Sequence, residues 1–520
     1  MNGLDPRVAD ALARLPDYLG QHVVISVTAL LLGLALSLPL AVLATRRERL
    51  RWPLLAFASL IQTIPGLALL ALFYPLLLGL SALTESLFGK GFSALGFLPS
   101  VLALTLYSML PVLRNTVTGI EGIDPAVKAA SLGVGMTSRQ SLWMVELPLA
   151  LPVIMAGIRT SAVWVIGTAT LSTPVGQTSL GNYIFAGLQT QNWVSVLFGC
   201  VAAALLALVV DQLLALVETG VAARKRLRIV AGAIGLLLVL AAALVPGLSR
   251  PAATYTIGTK TFTEQYILAS LIQDRLRANG LSAARRDGLG STVIFNALAS
   301  GEIDAYVDYS GTIWANHMRR TEIRSRDEVL NELRLWLKRE RGIEMLGALG
   351  FENAYALAMR RDRAETLGIR TIEDLAARSS QLAIGGDYEF FDRPEWATLR
   401  TAYGLTFRQR RQMDSTFMYG AVVNGEVDVI SAFSSDGRVA RFDLLVLEDP
   451  KRALPPYDAV LLLSPGRADD QALRRSLKPL VGTIDVALMR EANLRADRDQ
   501  DKETPAQAAR WLWEKIKENE

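Results

Sequence analysis

Six predominantly apolar stretches of about 20 residues, all before residue 249, limit this chain more than any other feature. Each is long enough to cross the hydrocarbon core of a bilayer. They run roughly over 23–43, 54–78, 98–113, 149–171, 194–217 and 229–248. Pro65 and Pro75 do not break the pattern, since neighbouring helices in a membrane can satisfy the backbone groups that proline frees. Hydrophobic residues make up 51% of the chain and charged ones 20%, figures that suit neither a wholly soluble nor a wholly embedded protein. Charges are sparse before about Arg224 and dense after about Arg250, so a membrane half is expected to precede a water-soluble half.

Basic loops set the orientation. Arg46, Arg47, Arg49 and Arg51 join the first two runs, and Arg224, Lys225, Arg226 and Arg228 join the last two, which places both loops in the cytoplasm. Six spans then leave the N-terminus and everything after Leu248 outside, and put the connection 114–147 inside. The first run is longer than a signal-peptide core and lacks a basic leader and a small-residue cleavage site, so it is expected to be retained. The net charge of +4 sits in loops beside apolar runs or is mixed with Asp and Glu, which gives no nucleic-acid-binding stripe. Cys200 is the one cysteine and reads as a small packing residue. His22 and His317 lie far apart without Cys neighbours, so no metal site is expected. No phosphate loop of the GxxxxGK(S/T) kind and no nucleophile elbow occurs, so the chain reads as neither an ATPase nor another enzyme, with no cofactor.

The inner connection carries Asp124-Pro125, then Ala129-Ala130-Ser131, Gly135-Met136-Thr137 and Val145-Glu146-Leu147-Pro148. It resembles the coupling loop of ABC-importer permeases, with Ala129 standing where that family has Glu. The stretch Pro152-Val153-Ile154-Met155-Ala156-Gly157-Ile158-Arg159 continues the likeness. The resemblance implies a short helix, broken by Gly135, that sits in a groove of a separate cytoplasmic ATPase. Ala129, Ala130, Gly135, Leu147 and Pro148 are its ATPase-coupling positions.

After Pro251 short β-like runs alternate with helical stretches, as in Tyr255-Thr256-Ile257-Gly258 before a helix from about Thr263 to Asn279, which argues α/β layers. Residues 295–309 also repeat, without a gap, as residues 419–433. Each copy reads as helix, glycine C-cap, short strand and a loop bearing an aromatic, Tyr309 in one and Phe433 in the other. Two similar lobes are expected, with ligand beyond the carboxyl ends of the strands. Burial of both aromatics in the core is the alternative. Asp304, Asp308, Asp428 and Asp436, in strand-end loops beside glycine, read as turn and cap residues rather than catalytic pairs.

From Tyr255 to about Trp513 the chain resembles the periplasmic binding proteins for glycine betaine, choline and related osmoprotectants, and as a whole it resembles the permease–binding-protein fusions of that ABC-importer group. The likeness is carried by Gly258-Thr259-Lys260, Thr263-Glu264-Gln265-Tyr266, Asp308-Tyr309-Ser310-Gly311-Thr312, Tyr355-Ala356-Leu357-Ala358, Arg393-Pro394, residues 413–419, Ser434-Ser435-Asp436-Gly437-Arg438 and Leu454-Pro455-Pro456-Tyr457-Asp458.

It implies an α-helical transmembrane permease domain of about six spans, of the type I importer kind, followed by a two-lobed α/β binding protein of type II. The expected layout is five spans in 1–222, a sixth helix and linker in 223–253, and an extracytoplasmic binding domain in 254–520. Its first lobe would take 254–352 and 433–520, and its second 353–432. It also implies an aromatic box of Tyr309, Tyr355, Tyr419 and Phe433 for a quaternary ammonium, with Lys260, Arg393 and the Thr312 hydroxyl on the ligand carboxylate.

The chemistry is reasonable in itself. A trimethylammonium group has no N–H to donate and is recognised by ring faces, while a carboxylate suits an Arg fork or an ammonium. Phe433 keeps the face of a tyrosine found in relatives without its hydroxyl. Asn353 stands where some relatives place an acidic residue, which favours a zwitterion over a bare cation such as choline. Glycine betaine is therefore the expected solute, with ergothioneine or choline and carnitine as alternatives. The expected partners are a cytoplasmic ATPase, a second copy of the permease and the lipid of a bacterial inner membrane, and no nucleic acid. A membrane sensor of the same ligands would need a cytoplasmic output segment, which this topology does not provide.

Overall fold

The computed structural model describes residues 5–89, 91–190, 192–248, 254–320, 322, 324–498 and 500–519. The chain forms two compact units, one of Val8–Phe185 and Val194–Pro251 and the other built on Ala252–Glu520.

In the first unit the helices are α1 (Pro6–Arg46), α2 (Glu48–Thr63), α3 (Gly66–Phe88), α4 (Phe97–Glu121), α5 (Pro125–Gly133), α6 (Ser138–Ser141), α7 (Leu147–Ala169), α8 (Gly181–Gln189), α9 (Trp193–Ala222) and α10 (Arg226–Leu248). A π-helical turn, Leu142–Glu146, joins α6 to α7. Among the described residues six helical stretches are long and apolar enough to cross a membrane, and this half of the chain is a multi-pass membrane domain. The first stretch is longer than its apolar run: α1 has 41 residues, or about 60 Å at 1.5 Å per residue.

The second run corrects the expectation of one span over 54–78. The helix stops at Thr63, Ile64 is extended at φ −72° and ψ 127° as a residue before proline prefers, and α3 starts at Gly66. Pro65 therefore divides the run, whereas Pro75 is accommodated inside α3. The carbonyl of Ile64 accepts the Tyr107 hydroxyl from α4, and the Gln62 amide reaches the Tyr107 carbonyl at 3.2 Å. A neighbouring helix thus satisfies what the break exposes.

Helices α4 and α7 pack closely because small residues let the backbones approach. A Cβ built on Gly157 would lie 2.7 Å from Asn115 Cβ and 2.8 Å from the Pro111 carbonyl, and the Ser161 hydroxyl bonds the Ser108 carbonyl at 2.6 Å.

Among the described residues the second unit holds ten strands: β1 (Tyr255–Gly258), β2 (Ala283–Arg286), β3 (Ala305–Tyr309), β4 (Glu344–Glu352), β5 (Tyr355–Arg360), β6 (Ala383–Gly386), β7 (Gln409–Gln412), β8 (Val429–Phe433), β9 (Leu444–Val446) and β10 (Asp458–Leu463). They make two five-stranded sheets, ordered β2-β1-β3-β10-β4 and β7-β6-β8-β5-β9. In each, three strands are parallel and the next pairs antiparallel, β10 with β3 and β5 with β8.

The internal repeat falls on equivalent pieces. Helices Ser291–Ala299 and Ser415–Val423 lead through Gly301 (φ 77°) and Gly425 (φ 73°) into β3 and β8, both third in their sheets. One boundary differs from expectation: the second sheet includes β9, so the second lobe runs past residue 433 and the chain returns to the first lobe only between β9 and β10.

Replacing Gly157 by Leu should destabilise the membrane domain by about 1–3 kcal/mol or more through the collision with Asn115 and Pro111. Thermal unfolding of detergent-solubilised protein measures this, and an unchanged transition would contradict the close α4–α7 approach.

Candidate functional site

The sheets' topology brings the ends of β3 and β8, the connection between β4 and β5, and the start of helix α11 (Thr263–Ala278) to one cleft with a volume of about 200 Å³. Its lining includes the rings of Phe262, Tyr309, Tyr355, Tyr388, Phe433 and Tyr457. Strand register sets Tyr355 opposite Phe433, with ring centroids 4.9 Å apart. Phe262 lies parallel to Phe433 at 6.2 Å with an interplanar angle of 6°, and 6.0 Å from Tyr309. Four of these rings form a continuous row, Tyr309–Phe262–Phe433–Tyr355, to which each lobe contributes two.

The cations anticipated from the sequence line the cleft but already have partners. Lys260 is paired with the buried Asp308, which also accepts the Tyr306 hydroxyl. Arg393 bonds Glu395 at 2.9 Å and Glu389 at 3.2 Å, and its guanidinium stands 5.0 Å from the centre of the Tyr355 ring. Arg438 pairs with Asp436 at 2.7 Å. Thr312 lines the cleft and is buried.

Asn353 also lines the cleft, and here the structure reverses the sequence argument. Its Nδ2 donates at 3.1 Å to Oε1 of Glu264, so the acidic group that position 353 lacks is supplied from the first turn of α11. Glu264 is 3% exposed. Its Oε1 also accepts the Tyr309 hydroxyl at 2.5 Å, and its Oε2 accepts the Ser435 hydroxyl at 2.6 Å and Asn493 Nδ2 at 2.9 Å. Burial pushes its carboxyl pKa up against the downward pull of these donors, and burial likewise pushes the Tyr309 phenol well up.

Tyr419 does not line the cleft. It is fully buried in the second lobe, with the Arg438 guanidinium 4.1 Å from its ring centre, and its hydroxyl accepts the backbone N–H of Phe433 at 3.3 Å. The ring face expected to receive a ligand cation is covered by one of the protein's own. Phe262 takes the fourth place in the row. Phe262 and Glu264 received no role from the sequence, although Phe262 lies between two recognised motifs and Glu264 within the second, because neither residue type there distinguishes a lining position from a packed one.

In the membrane domain Ala129 and Ala130 lie on α5, Gly135 adopts φ 87° between α5 and α6, and Leu147 and Pro148 open α7. Asp124 caps α5, and Thr137 with Gln140 forms a capping box on α6. Leu132, Val134, Trp143 and Met144 of this segment are more than half exposed. The loop is anchored from within: Ser131 bonds Ser141 at 2.8 Å, Ser141 bonds Glu146 at 3.3 Å, and Arg46 at the end of α1 pairs with Glu146 at 2.6 Å.

Residues 253–515, half of the chain, match the family described as the substrate binding domain of ABC-type glycine betaine transport systems. The chain belongs to that family. Residues 33–223 match a second family, the inner membrane component of binding-protein-dependent transport systems, so a permease and a betaine-type binding protein are fused in one ABC-importer chain. The ergothioneine transport permease/ergothioneine binding protein EgtU of Helicobacter pylori (strain G27) is 28% identical over 440 residues, 82% of this chain and 76% of that one. The glycine betaine/carnitine/choline transport system permease protein OpuCB of Bacillus subtilis (strain 168) is 40% identical over 199 residues, 38% of this chain and 84% of that one. Among solved structures, that of a glycine betaine/carnitine/choline ABC transporter is 25% identical, covers 50% of this chain and 98% of its own, and has a TM-score of 0.45.

Because Tyr419 is packed, Tyr419→Ala should cost the fusion's binding domain about 3–5 kcal/mol of stability. A lowered melting transition checks this. A variant that melts like the parent yet fails to bind ligand would return Tyr419 to the cleft.

Proposed function

We propose that this subunit captures a betaine-type quaternary ammonium compound outside a bacterial inner membrane and passes it through its own permease, two copies of which pair around the path while a separate cytoplasmic ATPase drives transport. The observation that carries the reading is the row of four rings, shared between lobes, beside the buried Glu264 carboxylate. Ring faces and a carboxylate suit a nitrogen that bears charge but no N–H. Basic loops at 46–51 and 224–228 support the inside-outside assignment. Six spans are few for a transport path, which supports pairing about a two-fold axis.

Glycine betaine is the ligand we favour. A ligand carboxylate would compete with Glu389 for the Arg393 guanidinium, a contact made by a side chain that is 55% exposed and free to yield. With the Glu264 carboxylate beside it, Asn353 does not disfavour choline. Ergothioneine is a second reading, supported by similarity along 82% of the chain to a protein named for that solute.

Calorimetry of the purified full-length chain with glycine betaine, choline, carnitine, proline betaine and ergothioneine tests the proposal. Glycine betaine should bind tightest, and Arg393→Ala should weaken it by about tenfold or more while changing choline little. Tightest binding of ergothioneine would select the second reading, and binding of none would sink both.

The exposed apolar residues around Gly135 suit an ATPase groove. Gly135→Val strains a positive-φ turn, so ligand-stimulated ATP hydrolysis in the reconstituted assembly should fall while ligand binding persists. Unchanged hydrolysis would remove the coupling role.

A further inference from the structure

Three cations line the cleft, and each meets a carboxylate of the protein: Lys260 with Asp308, Arg393 with Glu395 and Glu389, and Arg438 with Asp436. Glu264 is different. Among the described residues it forms no ion pair, and all four of its partners are neutral: a phenol, a hydroxyl and two carboxamides. Burying a charge without a counter-charge is costly, so such groups are retained where something supplies the opposite sign.

The surroundings hold this group as an acceptor. The Asn353 and Asn493 amides both turn Nδ2 toward the carboxylate, which leaves Oδ1 of each buried without a partner. Turning either amide over would place an oxygen against Glu264. The first turn of α11, a helix of 16 residues, adds its positive end to the stabilisation of a negative charge. Phe262, two residues before Glu264, and Tyr309, bonded to it through its hydroxyl, belong to the row of rings, so the carboxylate lines the cleft at the edge of the Tyr309 ring, beside the faces that would meet a cation.

We propose that Glu264 is the counter-ion of the ligand's quaternary nitrogen and that it makes the cleft select for positive charge at that atom rather than for its shape alone. The inference rests on the reading of the cleft as a site for trimethylammonium compounds and adds a residue to it. The rings supply dispersion and a modest attraction that a neutral tert-butyl group would partly share. The carboxylate supplies a long-range term that such a group cannot collect in a water-poor site.

Carbon isosteres isolate the charge: tert-butylacetate differs from glycine betaine, and tert-butylethanol from choline, only in carbon for nitrogen at the centre. Binding of both pairs to the full-length chain is compared with binding to Glu264→Gln, with melting transitions recorded for each protein. The parent should prefer each ammonium over its isostere by at least about tenfold. Glu264→Gln should bind each ammonium about tenfold or more weaker, bind tert-butylethanol as before and bind the tert-butylacetate anion better. Equal weakening of ammonium and isostere in a folded variant, or no weakening, would overturn the counter-ion role and leave the trimethylammonium reading intact. Failure of the parent to bind either ammonium would overturn that reading and the role together. If Glu264→Gln does not fold, Glu264→Asp, which keeps the charge on a shorter arm, must retain the preference for ammonium over isostere, and its loss in a folded protein would refute the assignment.

Discussion

A carboxylate 3% exposed, with no cation paired to it among the described residues, has to be held by donors, and Glu264 draws them from both lobes. Tyr309 ends β3, Asn353 lies between β4 and β5, Ser435 follows β8, and Asn493 belongs to helix Val486–Asp497. The hydrogen bonds of one side chain thus fix the end of a strand in each sheet, the crossing between the sheets and a helix of the first lobe. The ring row is ordered by the same bonds, since Tyr309 is both a ring of the row and a donor to Glu264. Because all four donors are neutral, the lobes are joined without cancelling the negative charge.

In the membrane domain the constraint is different. Water is not there to solvate a broken backbone, so the interruption at Pro65 survives because Tyr107 on α4 reaches the carbonyl it leaves. Small residues at Gly157 and Ser161 then bring α4 and α7 close enough for side chain to backbone bonds to count. The segment 124–147 hangs from α4 and α7 and is stiffened by two caps and the Arg46–Glu146 pair.

The architecture was legible in the sequence because it follows from period and length. Apolar runs of bilayer length announce spanning helices, and the repeat of 295–309 in 419–433 announces two like lobes. What could not be read depended on partners distant in sequence. Hydropathy runs continuously through Pro65, so the break shows only where Tyr107 comes to meet it. Tyr419 and Phe433 have equal standing in a motif, yet one lies beneath Arg438 and the other faces the cleft. Lys260 and Arg393 were recognisable as cations of the site, but not as cations already paired. Glu264 gained its meaning from residues 45 to 229 positions away.

The placement of β10 has a consequence for how the chain is made. This strand, Asp458–Leu463, lies between β3 and β4, so the first sheet is still split down its middle when about nine-tenths of the chain has left the ribosome. The second sheet draws all its strands from one continuous stretch, β5 to β9, and is complete earlier. During synthesis the later lobe can therefore mature first, while β3 and β4 present unpaired edges that invite association with other chains. A chain cut short between β9 and β10 would keep that hazard permanently: one finished lobe, one open sheet, and Glu264 without the Asn493 amide that helps hold it.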